Sequence, residues 1–279
     1  VTVEKTDEER HRDRLAAIEW ARGVLADPDA VVLDVETADL APSGRRDDPG
    51  RYDLEPCEIG VVSVAGAVLY DELLGTAVEI SAGATGLHGI SPAMVAGVPV
   101  FAERAYRDLT ALLDGKRVIA YNIAFDRGVL AQAVAHSDGD VDSADRWIAR
   151  ARWDDAMDPY ARWIGEWDAE RGRYRPQKQP GSGHRAIADC YTTLGLLHTM
   201  AKAHPSWQPP VPDRRRPAAG PRMASERQLK FINKLLTQAG ATARAERHAR
   251  LAAIVGRDLA SSKELTIDEA SAVIDRLNG

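Results

Sequence analysis

The stretch Val31-Val32-Leu33-Asp34-Val35-Glu36-Thr37 limits the fold more than any other, because it reads as a buried strand that ends in two carboxylates two residues apart. Strand side chains alternate between faces, so Leu33 and Val35 share one face while Asp34 and Glu36 share the other. Like charges that close repel, and burial raises the cost of each unless a cation or a proton neutralises it. The strand therefore predicts a site that gathers positive charge and draws further ligands from elsewhere in the chain.

The segments around it alternate strand with helix. Residues 7–26 carry Leu15, Ile18, Ala21 and Leu25 near helical spacing, with Trp20 as an anchor, and Asp27-Pro28-Asp29 stops the helix. Residues 41–56 are dense in Pro, Gly and charge and read as an exposed loop. Strands follow near 58–64 and 67–73, with another at 76–80. Loop and short helix fill 85–101, and an amphipathic helix covers 101–115, ending at Gly115. A short strand takes 116–122 and a helix runs from 125 to 136. A last strand is expected at 152–158, then a basic loop at 171–183 and a helix from 184 to 203. This order implies an α/β fold, a mixed sheet flanked by helices. Residues 204–221 form a Pro- and Arg-rich linker between a first domain, 1–203, and a small helical module at 222–279. In that module Leu229, Ile232, Leu235 and Leu236, and then Leu265, Ala270, Val273, Ile274 and Leu277, mark apolar helix faces.

Composition narrows the function class. No apolar run approaches the ~20 residues of a membrane span, and the N-terminal stretch is too charged for a secretory signal, so a cytoplasmic protein is expected. Cys57 and Cys190 are the only cysteines, which indicates neither a disulfide framework nor a structural zinc site. The net charge of −6 is uneven: residues 210–279 hold 13 Lys and Arg against 8 Asp and Glu, a net +5, leaving −11 for residues 1–209. So acidic a body suits nucleic acid only if bound cations neutralise several of its acids and the basic tail contributes to the grip.

Three short motifs occur in order: Asp34-x-Glu36 ending a strand, Asn122-x-x-Phe125-Asp126 opening a helix after a strand, and His184-x-x-x-x-Asp189 on a helix. Together they place acids where a site in an open sheet forms. In DVET (34–37), LHGIS with VPVF (87–91 and 98–101), AYNIAFD (120–126) and HRAIADCYTTLGLL (184–197), the chain resembles the DEDD superfamily of 3′→5′ exonucleases. The branch it is most similar to has histidine in the third motif and includes proofreading subunits and ribonuclease T. The resemblance spans roughly residues 28–203. It implies a ribonuclease-H-like fold, two divalent ions, Mg²⁺ or Mn²⁺, and release of nucleoside 5′-monophosphates from single-stranded or frayed DNA.

The chemistry is consistent with that resemblance. A phosphodiester is anionic, and two cations about 4 Å apart compensate charge on both attacking and leaving oxygens. Hard cations take carboxylate oxygens, so Asp34, Glu36, Asp126 and Asp189 are the expected ligands. His184, titrating near neutrality, is the expected general base. Positions five apart on a helix point some 140° from one another, so His184 is expected to reach in from the helix entrance while Asp189 projects from its body. The resemblance further suggests that Thr37 and Ala38 meet the 3′-terminal sugar and that His88 and Asn122 lie near substrate, Asn122 chiefly bracing its turn. After DVET the chain carries Ala38-Asp39 where the family often has Thr-Gly, a departure that bears on the shape of the 3′-end pocket. Two other readings are an exoribonuclease of the same fold and a non-catalytic nucleic-acid adaptor. The module at 222–279 is expected to bind DNA or a replication or recombination protein.

Overall fold

The computed structural model describes residues 4–40, 54–180, 184–204, 206, 224–241, 243–257, 259 and 261–278. Thr6 opens α1 (Asp7–Leu25) through a reciprocal capping box with Glu9, which satisfies two of the helix's orphan donors. The chain then forms β1 (Ala30–Thr37), β2 (Pro56–Ser63) and β3 (Val68–Leu73). Helices α2 (Ala82–His88), α3 (Pro92–Val95) and α4 (Ala105–Leu113) lead to β4 (Arg117–Ala120). Helices α5 (Ile123–Asp138) and α6 (Val141–Ile148) precede β5 (Arg152–Asp155). After α7 (Met157–Ile164) come a small hairpin, β6 (Trp167–Asp168) and β7 (Arg173–Tyr174), and α8 (Ala186–Lys202).

The first five strands form one sheet in the order β3-β2-β1-β4-β5. β2 is antiparallel to both β1 and β3, while β1–β4 and β4–β5 are parallel, giving a ribonuclease-H-like mixed sheet. Being central, β1 is apolar along one face and, up to Val32, along the other. Val31, Leu33 and Val35 pack with Ile59, Val61, Leu109, Leu130 and Trp147, so α4, α5 and α6 cover that side. Ala30 and Val32 pack with Ile18, Ile119, Trp163, Leu197 and Met200, so α1, α7 and α8 cover the other. Burying each such large side chain contributes ~1.5–3 kcal/mol, which is what clamps the acidic end of β1 in place.

The structure departs from the sequence expectations at several places. Residues 76–80 form no strand: Gly75 makes a lone parallel bridge to Val100, and the Glu55 carboxylate takes the Ala77 amide at 2.6 Å, so a side chain supplies the acceptor a neighbouring strand would have offered. The helix expected from 101 begins at Ala105, because Phe101 is buried in the core and its carbonyl accepts from the Tyr106 amide across a turn. Helices α6 and α7 and the β6–β7 hairpin were not foreseen, although Trp147 and Trp163 are their buried anchors. α8 starts at Ala186, so His184 stands outside the helix and the i, i+5 geometry does not govern it. Most of the 41–56 loop (41–53), residues 181–183 of the basic loop, and the linker at 205 and 207–221 lie outside the described residues.

By internal contacts the chain divides into Val1–Pro209 and Pro210–Gly279. In the second unit α9 (Glu226–Gln238) is opened by a Ser225 capping box with Gln228 and is followed by α10 (Arg244–Val255) and α11 (Ile267–Asn278). Ile232, Leu236, Leu251, Leu265, Ala270 and Val273 form its core. Arg247 and Arg250 donate to the carbonyls of Ala241 and Ala239, fixing the turn between α9 and α10. Among the described residues no helix is long and apolar enough to cross a membrane.

Candidate active site

Three elements converge at the end of β1. Asp34 and Glu36 leave the strand toward α8, where Asp189 sits in the helix's first turn, and carboxylate oxygens of the three lie within 4.8 Å of one another. Asp126 arrives from the opposite side, in the first turn of α5, with its side chain 4% exposed. Its Oδ1 accepts the Val35 amide at 3.0 Å. That amide is accessible because the β1–β4 ladder covers only Ala30 to Val32, leaving the last part of β1 without a neighbour on that side.

Burial and neighbouring carboxylates raise the pKa of all four acids. Burial foremost, then Asp126, Glu36 and Asp189, pushes Asp34 well above the ordinary carboxylate range. Glu36 is pushed up to about 8 by burial and by Asp189 and Glu58, with Arg185 opposing. Burial likewise lifts Asp126 to about 7, against the Val35 hydrogen bond that favours its charged form. Asp189 is raised by burial, with the charge of His184 acting the other way. Such a cluster ionises together only if positive charge enters it. An all-carboxylate donor set of this kind suits a hard divalent cation such as Mg²⁺ or Mn²⁺ better than a soft one.

His184 stands two residues before α8, near enough to Asp189 for its charge to act on that group, with a left-handed backbone (φ 36°), and is the only non-glycine with positive φ among the described residues. Such a conformation costs on the order of 1–3 kcal/mol and persists only where neighbours hold it. The neighbour is Arg185, whose guanidinium grips Glu58 with Nε 2.8 and 2.9 Å from the two carboxylate oxygens and a further short contact through Nη2. Glu58, 1% exposed, lies opposite Glu36 in the β1–β2 register and also accepts the Ala186 amide at 2.9 Å.

Against this geometry the family comparison is decisive. The family RNase T, described as Exonuclease, matches residues 31–197, more than half of the chain. The chain belongs to this exonuclease family, within the DEDD superfamily. The uncharacterized exonuclease CP81 of Escherichia phage 186 is 27% identical over 188 residues, covering 62% of this chain and 89% of that one. Among solved structures, exonuclease X in complex with 5′ overhanging duplex DNA is 25% identical with a TM-score of 0.38, covering 61% of this chain and 90% of that one. E. coli exonuclease I in complex with a dA16 oligonucleotide is 19% identical with a TM-score of 0.44, covering 61% of this chain and 40% of that one.

Within the exonuclease domain the remaining sequence candidates are placed as follows. Thr37 and Ala38 are buried at the end of β1, the Ala38 amide donating to Glu55 and its carbonyl accepting from Ser81. His88 is 3% exposed. Its Nδ1 accepts the Ile90 amide at 3.0 Å, which leaves Nε2–H to donate to the Thr37 carbonyl at 3.2 Å. Burial lowers its pKa, favouring this neutral tautomer. The ring thus touches the strand end that forms the site, through backbone. Asn122 is the N-cap residue of α5 and its side chain makes no capping bond. Glu58, Gly60, Asp155 and Arg185 escaped the sequence reading. Glu58 carried a usable signal, a lone acid inside the apolar run Cys57 to Val62, the same signal that marked Asp34. Gly60 faces Asp34 in register and carries no Cβ because one would lie 2.7 Å from the Ala186 carbonyl carbon and the Ile187 nitrogen.

Proposed function

We propose that this exonuclease is a metal-dependent 3′→5′ enzyme of the histidine type that degrades single-stranded or frayed DNA to nucleoside 5′-monophosphates. The observation that carries the reading is the gathering of Asp34, Glu36 and Asp189 within 4.8 Å, with Asp126 beside them and His184 near enough for its charge to act on Asp189. When bound, two Mg²⁺ or Mn²⁺ ions supply charge compensation on the scissile phosphate and its leaving oxygen. Asp34, Glu36 and Asp189 would hold one of them, and Asp126 would serve the other. His184 accepts the proton of the attacking water, a role open to a ring outside the helix whose charge reaches Asp189. Thr37 and Ala38 form the floor beneath the 3′-terminal sugar, kept in shape by His88 from below.

The second unit is proposed to grip DNA or a replication or recombination protein. Residues 226–250 hold six Lys and Arg against two Glu, a local excess that suits phosphate contact. The test uses a DNA strand labelled at either end, with a matched RNA strand in parallel, in EDTA, Mg²⁺ and Mn²⁺. Loss of a 3′ label as mononucleotide in the first seconds, dependent on metal and reduced at least ~100-fold in His184→Ala, supports the reading. Removal of the 5′ label first, or wild-type turnover by both Asp34→Ala and His184→Ala, overturns it.

A further inference from the structure

The two helices that deliver Asp126 and Asp189 begin in the same unusual way. Helices leave their first amides without internal partners, and the N-cap side chain normally takes one of them. Neither Asn122 before α5 nor Arg185 before α8 does so. Instead a carboxylate from a sheet strand crosses over. Glu58 of β2 accepts the first amide of α8, Ala186, at 2.9 Å, and Asp155 at the end of β5 accepts the first amide of α5, Ile123, at 3.2 Å. In each helix the fourth residue is the site acid, Asp189 in one and Asp126 in the other.

Four further observations give these caps a directional role. One turn separates cap and acid, ~4.5 Å along the axis, so a shift at the cap passes almost undiminished to the carboxylate. Glu58 also holds Arg185, whose backbone adjoins the left-handed His184. Asp155 uses its second oxygen on the Asp158 amide of α7 at 2.9 Å, so one carboxylate locks two helix starts to the end of β5. Both strands are fixed in the sheet, with Glu58 opposite Glu36 and Asp155 paired with Ala120.

We infer that Glu58 and Asp155 are positioning residues that set Asp189 and Asp126 in place by capping their helices from the sheet. The inference rests on the assignment of Asp126 and Asp189 as cation ligands. What each cap supplies is an acceptor oxygen at the correct reach, more than a negative charge. Glu58→Gln keeps that oxygen and loses the charge, whereas Glu58→Asp keeps the charge and withdraws the oxygen by one methylene. Asp155→Asn keeps one acceptor for Ile123, whereas Asp155→Ala keeps none.

The experiment measures Mn²⁺ binding by calorimetry and steady-state kcat and KM on a single strand for these four variants of the full chain. Far-UV circular dichroism and thermal melts confirm that each is folded. Glu58→Asp and Asp155→Ala are expected to bind Mn²⁺ 10–100-fold more weakly and to lose a similar factor in kcat, with KM for DNA within about threefold. Glu58→Gln and Asp155→Asn keep an acceptor for the helix amide but turn an NH2 toward Arg185 and the Asp158 amide respectively, so each is expected to lose less than its partner variant in both Mn²⁺ affinity and kcat. Equal or reversed order between the members of each pair overturns the inference, as does unchanged Mn²⁺ affinity in all four. Asp34→Ala run alongside separates the two levels: if it retains activity, the site assignment itself fails, whatever the cap variants do. Should Asp155→Ala not fold, the Glu58 pair decides alone.

Discussion

Replacing Asp34 by Asn removes one charge from the carboxylate cluster without changing its shape, and the consequence for stability has a sign opposite to that of most core substitutions. Carboxylate oxygens of Asp34, Glu36 and Asp189 lie within 4.8 Å. At an effective dielectric of about 20, each fully ionised pair at that separation costs about 3 kcal/mol. Because burial and neighbours raise Glu36 from 4.5 to about 8, the folded state binds more protons than the unfolded chain between those values. The contribution of Glu36 to the stability of the metal-free protein is therefore fully present below pH 4.5 and is lost as pH rises toward 8. At pH 8 in EDTA, Asp34→Asn is expected to be more stable than wild type by on the order of 1–3 kcal/mol. For a unit the size of Val1–Pro209 this is a rise of roughly 2–10 °C in Tm. At pH 5 the gap closes, since protons do the same work in wild type. Adding Mg²⁺ to about 100 times its Kd stabilises wild type by about 2.7 kcal/mol, roughly 5–10 °C, and Asp34→Asn by much less. Scanning calorimetry at pH 5 and 8, in EDTA and in MgCl₂, measures all four quantities. A variant less stable than wild type in EDTA at pH 8, or one with an undiminished Mg²⁺ shift, would refute the account of the cluster as a charge trap relieved by cations.

Three further outcomes are expected. Gly60→Ala puts a Cβ 2.7 Å from backbone atoms of Ala186 and Ile187, so α8 must move. A loss of ~1–3 kcal/mol in a urea melt is expected, together with weaker Mn²⁺ binding, and a neutral result would show that α8 can retreat freely. His88→Ala leaves the Thr37 carbonyl and the Ile90 amide without their ring partners, which should lower stability by ~1–3 kcal/mol in the same melt. Ending the chain at residue 209 removes a net +5 charge. DNA affinity should fall, and the slope of log K against log salt should become shallower, while the intrinsic rate of a bound strand stays within about threefold; an unchanged slope would place DNA contact entirely in the first unit.

The acidic end of β1 was legible because its pattern conflicts with itself: apolar alternation demands burial and carboxylates resist it. The same conflict exists at Glu58, yet pattern reading passes over it, since a single acid inside the run Cys57 to Val62 has no partner in sequence and meets Arg185 only across 127 residues. The alternation of strand and helix that frames the sheet could be read from periodicity, and so could the helix faces around Ile232 and Val273. Strand order could not, because nothing local to β1 states that β2 and β4 flank it. The failed strand at 76–80 and the late start of α4 share a cause. In both places one side chain, Glu55 or Phe101, finds a better partner in the tertiary structure than the local pattern offers.

The hydrogen bond from Val35 to Asp126 has a spectroscopic consequence. An amide in a central strand ordinarily exchanges with solvent only when the sheet opens, but Val35 is protected by a carboxylate instead of a neighbouring strand's carbonyl. Its proton frequency and exchange rate will therefore follow the electronic state of Asp126 and not the opening of the ladder. A single backbone resonance, set between two of the site's carboxylates and needing no label, should thus read out occupancy of the Asp126 side of the site in the resting protein.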